Sequence, residues 1–179
     1  MKKRLLLLPV MAIVLALMFV MTACSDSDSK KKDKDDEDST PKYERPVESY
    51  FKAIETGSGK EFRKCYCDAE IEYRNQIVGS GEDYFDNGAE ELNRSAISKF
   101  GDDVRITYKV EKKDKFEDDD LEKYTDKLTR RCGGEKEIKI TEGYKLKLKV
   151  KIKGSKGEDE DSLTIKVGKT DGRWILLEM

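Results

Sequence analysis

The four cysteines are the residues of this 179-residue chain with the widest choice of chemistry, because a thiol can be acylated, oxidised or bound to a metal. Cys24 ends an apolar N-terminal run, Cys65 and Cys67 flank one tyrosine, and Cys132 lies far along the chain. The Cys-x-Cys spacing differs from the Cys-x-x-Cys spacing of redox motifs. With no histidine and only Cys132 as a distant third thiolate, it also lacks the ligands of a zinc site. We therefore expect no metal and no cofactor.

The charge and the missing histidine exclude several classes of function. Charged side chains make up 41% of the chain, with both signs interleaved. Removal of residues 1–23, which hold three cations and no acid, would leave 33 cationic and 38 acidic side chains. A net negative chain of this kind does not favour general binding to polyanions, so we expect no nucleic-acid partner. Without histidine there is no histidine-based triad or pH switch, and no dinucleotide-binding pattern occurs.

The first twenty residues have the pattern of an export signal. Lys2, Lys3 and Arg4 precede an apolar run from Leu5 to Val20. This run is shorter than the roughly 20 residues that a membrane-spanning helix needs. A positive start, a short apolar core and small residues at its end are typical of a cleavable signal peptide. The alternatives are an uncleaved N-terminal anchor and an ordinary signal that is cut nearby.

The end of this segment, Met21-Thr22-Ala23-Cys24, resembles the lipobox of bacterial lipoproteins. The resemblance implies cleavage after Ala23, which defines a signal peptide over residues 1–23. It also implies that the Cys24 thiol carries a diacylglyceryl group with chains such as palmitate. Two acyl chains give stable anchoring, whereas one chain binds only reversibly. We therefore expect attachment to the cell membrane through Cys24, on its extracytoplasmic side.

Residues 24–42 form the predicted tether between this anchor and the domain. The stretch from Ser25 to Thr40 contains no leucine, isoleucine, valine or aromatic residue. Such a sequence cannot bury enough apolar surface to offset its conformational entropy, so we expect disorder. A flexible chain of this length has a root-mean-square span of about 20–25 Å.

An extracytoplasmic location permits a disulfide. Because Cys24 would carry lipid, three cysteines remain, and we expect one bond from either Cys65 or Cys67 to Cys132. One thiol would then stay unpaired. Buried free thiols are the alternative.

The domain, residues 43–179, begins with helical patterns. Val47, Tyr50, Phe51 and Ile54 recur at helical spacing after Pro46, which favours a first turn. A second, short helix would bury Phe62, Cys65 and Tyr66, and residues 82–100 suggest a third helix or a helix pair.

Strand patterns dominate the second half of the domain. Apolar residues alternate with polar ones over 104–110 and, most regularly, over 144–152, with one helical pattern between them. We expect a polar loop over 154–161, a strand over 163–167, a hairpin turn at Asp171-Gly172, and a final strand over 173–177 covered on both faces. The order predicts an α+β domain in which N-terminal helices pack on a curved antiparallel sheet of about four strands, with one helix inserted between strands.

This order resembles the nuclear transport factor 2-like, or cystatin-like, superfamily, in which helices close a curved sheet into a cone. The likeness extends to small lipoproteins of unknown function from Gram-positive bacteria. It rests on the Tyr-Phe-x-Ala-Ile start of the first helix, from Tyr50 to Ile54, and on the Lys-x-Asp-Gly-x-Trp turn, from Lys169 to Trp174. The resemblance implies a fold and a conical interior that often holds a pocket. It carries over no catalytic residue, since fold alone does not give function.

A stripe of lysines alternates with the apolar residues of the most regular strand. It admits two interpretations: contact with polyanions such as wall polymers, or an ordinary solvated face balanced by acids on neighbouring strands. We favour the second. The stripe consists of Lys145, Lys147, Lys149, Lys151 and Lys153.

Three functions follow as hypotheses. The first is a non-enzymatic envelope lipoprotein that binds a small ligand or a protein partner. The second is an enzyme of the ketosteroid-isomerase type, with a pocket carboxylate from among Asp68, Glu70, Glu72 and Glu90 and tyrosines lining the pocket. The third is an accessory domain that contacts only proteins. A filled interior would favour a function at the surface.

Overall fold

The computed structural model describes residues 40–78, 81–135 and 137–179. The signal segment, Cys24 and the tether up to residue 39 lie outside the described residues. Within them the chain forms five helices and four strands. These are α1 (Arg45–Thr56), α2 (Gly59–Arg63), α3 (Asp68–Val78), α4 (Gly81–Phe100), β1 (Arg105–Lys115), α5 (Asp118–Arg131), β2 (Glu142–Gly154), β3 (Gly157–Thr170) and β4 (Arg173–Glu178).

The four strands form one antiparallel sheet in the order β1-β2-β3-β4. The sheet is curved and does not close, and the first four helices precede it while α5 is inserted between β1 and β2. The predicted α+β architecture, with about four strands and one inserted helix, is therefore confirmed.

The inner face of the sheet packs against the N-terminal helices. The even-numbered residues of β2 from 146 to 152 are buried, and they join the predicted apolar face of α1 in one core cluster. This cluster also includes Phe62 of α2 and Phe85 of α4. The alternation of apolar and charged residues places one face of β2 in this core and the other in solvent.

A second core cluster lies on the opposite face of β4. Ile175 and Leu177 pack there with Tyr124 and Leu128 of α5, whereas Trp174 and Leu176 contact the first cluster. Strand β4 is covered on both faces, as its unbroken apolar run predicted.

The predicted polar loop over 154–161 is wrong. Strand β2 continues to Gly154, and β3 begins at Gly157 after a two-residue turn. The sequence signal is missing because residues 157–162 of β3 are glycine or polar and stay exposed or half-buried, so no apolar residue marks this part of the strand. Cross-strand ion pairs occur there instead, for example between Lys149 and Glu160 at 2.5 Å. The second hairpin follows the prediction, with φ of 49° at Asp171 and 79° at Gly172.

The helix boundaries between 59 and 100 also differ from the expectation. Helix α2 ends at Arg63, before Cys65 and Tyr66, and a separate helix α3 follows that the sequence did not reveal. Its one buried charged residue, Glu70, interrupts the apolar periodicity on which the prediction depended. The region 82–100 is part of a single helix, α4.

Candidate functional site

An open groove of about 580 Å³ lies where the chain enters the domain. The first turns of α1, the end of α2 and the turn between β3 and β4 form its walls. We call it the basic groove. It is lined by Lys42, Arg45, Pro46, Glu48, Ser49, Lys52, Glu61, Lys64, Gly172, Arg173 and Trp174.

Cationic side chains outnumber acidic ones in the basic groove by five to two. Lys64, the residue that follows α2, pairs with Glu61 of that helix, whose carboxylate lies 2.7 Å away. Arg173 pairs with Asp68, which stands outside the groove. Lys42 and Lys52 are both exposed, and neither ammonium group has a carboxylate partner among the described residues. The groove therefore carries an uncompensated positive charge.

Trp174, which lines the groove, belongs to a group of three aromatic rings with Tyr43 and Tyr144. Trp174 stacks on Tyr144 with ring centroids 5.5 Å apart and an interplanar angle of 18°. Tyr43 packs against both rings, at 5.1 Å from Tyr144 and 6.2 Å from Trp174. The Nζ of Lys113 lies 4.4 Å from the Tyr43 centroid, within cation–π range. The aromatic residues thus hold the indole of Trp174 in place beside the cationic side chains.

The most deeply buried charged group is Glu70, whose side chain has no exposed surface. Its Oε1 accepts hydrogen bonds from Arg74 Nε at 3.1 Å and Nη2 at 2.7 Å. Its Oε2 accepts from Arg131 Nε at 2.9 Å. Arg131 also donates to the carbonyl oxygens of Leu177 and Leu176 at 3.0 and 3.3 Å. Glu70 therefore links α3 to α5, and Arg131 extends the link to β4.

Two thiols adjoin this carboxylate. The Sγ atoms of Cys67 and Cys132 and one oxygen of Glu70 lie within 4.8 Å of one another. Burial raises the pKa of Cys67, and burial with the neighbouring Cys67 and Glu70 raises that of Cys132 to about 12. Both thiols are therefore protonated at neutral pH.

Cys65 belongs to a different part of the core. Its thiol donates to the carbonyl oxygen of Pro46 at 3.4 Å, and it packs in the first cluster rather than the second. Burial, reinforced by Glu61, raises its pKa to about 12. All three described cysteines are free thiols in this structure, so the predicted disulfide is not formed in it.

This arrangement does not suit a metal ion, although two cysteines and a glutamate are nearby. A cation bound there would compete with two guanidinium groups for Glu70, and it would lie beside the positive charge of Arg131. It would also require thiolates, which the raised thiol pKa values disfavour.

The lysine stripe lies on the outer face of the sheet, where four of its members pair with glutamates. Lys147 contacts Glu111 at 3.2 Å, and Lys151 contacts Glu158 at 3.0 Å. Lys149 pairs with Glu160, and Lys153 lies near Glu158. Lys145 faces Asp114 in the strand register. These contacts favour the solvated, charge-balanced interpretation; contact of the stripe with a polyanion stays a prediction.

Among the predicted pocket carboxylates, the structure buries only Glu70. Asp68, Glu72 and Glu90 are exposed. The tyrosines proposed to line a pocket instead pack within or against the first core cluster, except Tyr73. Among the described residues, buried apolar side chains from the helices and the sheet pack into one core cluster in this region. The sequence did not reveal the basic groove, because its residues come from three separate segments and follow no common period.

Comparison with known proteins adds no relative. No family model matches the chain, and neither the curated proteins nor the solved structures include a significant match. The resemblance to the nuclear transport factor 2-like superfamily therefore stays a prediction, whereas the α+β fold is established. Among the described residues, no helix is both long and apolar enough to cross a membrane.

Proposed function

We propose that this protein is an extracytoplasmic lipoprotein whose domain binds a phosphate-bearing anionic ligand of the cell envelope in the basic groove. The observation that carries the proposal is the local excess of cations in a domain that is acidic overall. Five cationic and two acidic side chains line the groove, whereas acidic residues outnumber cationic ones by 31 to 28 over residues 43–179. A positive cleft on an otherwise acidic surface concentrates anions at that cleft alone.

The unpaired ammonium groups of Lys42 and Lys52 supply the attraction. Exposed lysines already paired with acids add little, because the acid competes with the ligand. Within the described part of the chain, Lys42 and Lys52 have no acidic partner that a ligand would have to displace. Lys42 reaches the groove from the entering chain, and Lys52 reaches it from α1. A linear chain of phosphates, or a phosphodiester headgroup, would contact both. Trp174 adds a flat apolar surface for the uncharged part of such a ligand.

The predicted anchor supports the same class of ligand. The groove begins at Lys42, at the end of the tether from Cys24. With a span of about 20–25 Å, the tether would keep the groove close to the membrane surface. Phosphates of lipid headgroups and of envelope polymers are the anions found there.

An enzyme of the ketosteroid-isomerase type is the weaker hypothesis. Such an enzyme needs a carboxylate with access to substrate in an open interior. Glu70, the only buried carboxylate among the described residues, has both oxygens engaged by arginines and no exposed surface. A group held in this way cannot approach a substrate proton.

Trp174 allows a direct test, since it is the only tryptophan in the chain. We expect linear polyphosphate to change its fluorescence saturably at low ionic strength, and added sodium chloride to weaken the effect. Vesicles containing phosphatidylglycerol, compared with pure phosphatidylcholine vesicles, would distinguish a lipid headgroup from a soluble phosphate chain. No response to either anionic probe would contradict the proposal.

A further inference from the structure

The sulfur atoms of Cys67 and Cys132 are neighbours although 65 residues separate them in the sequence. Cys67 directly precedes α3, where its carbonyl accepts the hydrogen bond from Ile71 N at 3.0 Å. Cys132 is the C-terminal capping residue of α5. A covalent bond between them would join the start of one helix to the end of another.

Cys65 is excluded as the partner of Cys132. It lies in the other core cluster, and its thiol is oriented toward the Pro46 carbonyl oxygen. Cys67 and Cys132 pack in or against the second cluster, with their sulfur atoms within 4.8 Å of each other. The choice between Cys65 and Cys67, which the sequence left open, is therefore decided by the fold.

We infer that Cys67 and Cys132 form a structural disulfide in the mature, exported protein, and that Cys65 stays a buried free thiol. The bond forms by exchange with a disulfide-bearing oxidant. One cysteine thiolate attacks that disulfide, breaks its S–S bond and forms a mixed disulfide while one oxidant sulfur leaves. The second cysteine thiolate then attacks the mixed disulfide and releases the other oxidant sulfur. Two electrons pass to the oxidant, and the two protons lost by the cysteines end on the two thiols of the reduced oxidant.

The surroundings also protect the bond once it has formed. Exchange requires a thiolate, and burial, which raises the pKa of both thiols, slows exchange in the folded domain. A bond closed within the second cluster is then poorly accessible to reductants, which distinguishes it from a catalytic or switching pair. The inference does not depend on the basic groove.

The test is to count thiols in the full-length protein isolated from the producing cell. The protein is treated with an alkylating agent during lysis, unfolded in more of the same agent, and digested without reductant. We expect Cys65 to be alkylated and the peptides containing Cys67 and Cys132 to be recovered as one linked species. Alkylation of all three cysteines, a link to Cys65, or a metal ion that accompanies free thiols would overturn the inference.

Thermal unfolding supplies an independent readout. Reduction should lower the melting temperature of the wild type and of Cys65→Ala by about 5–15 °C, because the cross-link restricts a long loop of the unfolded chain. Reduction should leave the melting temperatures of Cys67→Ser and Cys132→Ser unchanged. An equal response in all four proteins would overturn the inference.

Discussion

Glu70 and Arg131 form a buried ion pair that joins α3 to α5, with Arg131 Nη2 2.7 Å from Glu70 Oε2. The carboxylate is inaccessible to water, whereas the Arg131 side chain is 30% exposed. Because Arg74 binds the other oxygen, the acid is shared between two cations. A single buried carboxylate thus accepts hydrogen bonds from arginines of both helices.

Loss of this charge should destabilise the domain. Glu70→Gln leaves two partly buried guanidinium groups without their counter-ion, and we expect it to lower the free energy of unfolding by about 3 kcal/mol. Urea denaturation measures this. Glu72→Gln, at an exposed position of the same helix, is the matched control. It should change the free energy of unfolding by less than about 0.5 kcal/mol. Equal effects of the two variants would show that the ion pair is not a stabilising feature.

Glu178 should make the stability depend on pH in the acid range. Lys166, Lys127 and Tyr124 hydrogen-bond its carboxylate and lower its pKa to about 2. A lowered folded-state pKa gives stability that is complete above the unfolded-state pKa, about 4.3, and is lost as the pH falls toward 2. Because the side chain is 39% exposed, solvent screening limits the effect to about 1 kcal/mol or less.

The measurement for Glu178 is a carbon-detected NMR titration of its carboxyl group. We expect its midpoint well below that of an ordinary glutamate. The stability advantage of the wild type over Glu178→Gln should shrink from pH 5 to pH 2. A midpoint near 4.3, or an advantage that is constant over this range, would be inconsistent with the contacts described.

Cys24 should decide where the protein is found. We expect Cys24→Ala to abolish incorporation of labelled palmitate and to leave either an unprocessed precursor or a released protein, because the thiol is the predicted site of acylation. Cell fractionation and intact mass measure both outcomes. Cys65→Ala is the control and should remain anchored. Unchanged membrane retention and mass in Cys24→Ala would contradict the lipoprotein assignment.

Most of the fold was predictable because its core follows simple periods. Val47 to Ile54 recur at helical spacing, Leu146 to Ile152 alternate as a half-buried strand, and the Asp171-Gly172 turn favours positive φ at both residues. Each of these local preferences agrees with the final packing. The α+β class therefore followed from the sequence.

The parts that sequence reasoning missed are held together by charge instead of apolar contacts. Helix α3 depends on Glu70, and the long β2–β3 hairpin depends on cross-strand lysine–glutamate pairs. Neither leaves an apolar pattern in the sequence. The choice between Cys65 and Cys67, and the assembly of the basic groove, depend on contacts between distant segments that no local pattern encodes.

The most direct test of the basic groove is a pair of matched charge reversals. Lys42→Glu with Lys52→Glu should weaken polyphosphate binding, followed by Trp174 fluorescence, by at least about 30-fold, because loss of each lysine costs about 1 kcal/mol and each new carboxylate adds repulsion. Lys109→Glu with Lys145→Glu changes the net charge equally on the outer face of the sheet, and it includes one member of the lysine stripe. We predict that this second pair weakens polyphosphate binding by at most about twofold, because its charges are remote from the ligand. Equal losses in both double variants, or a loss only in the second, would contradict binding in the groove.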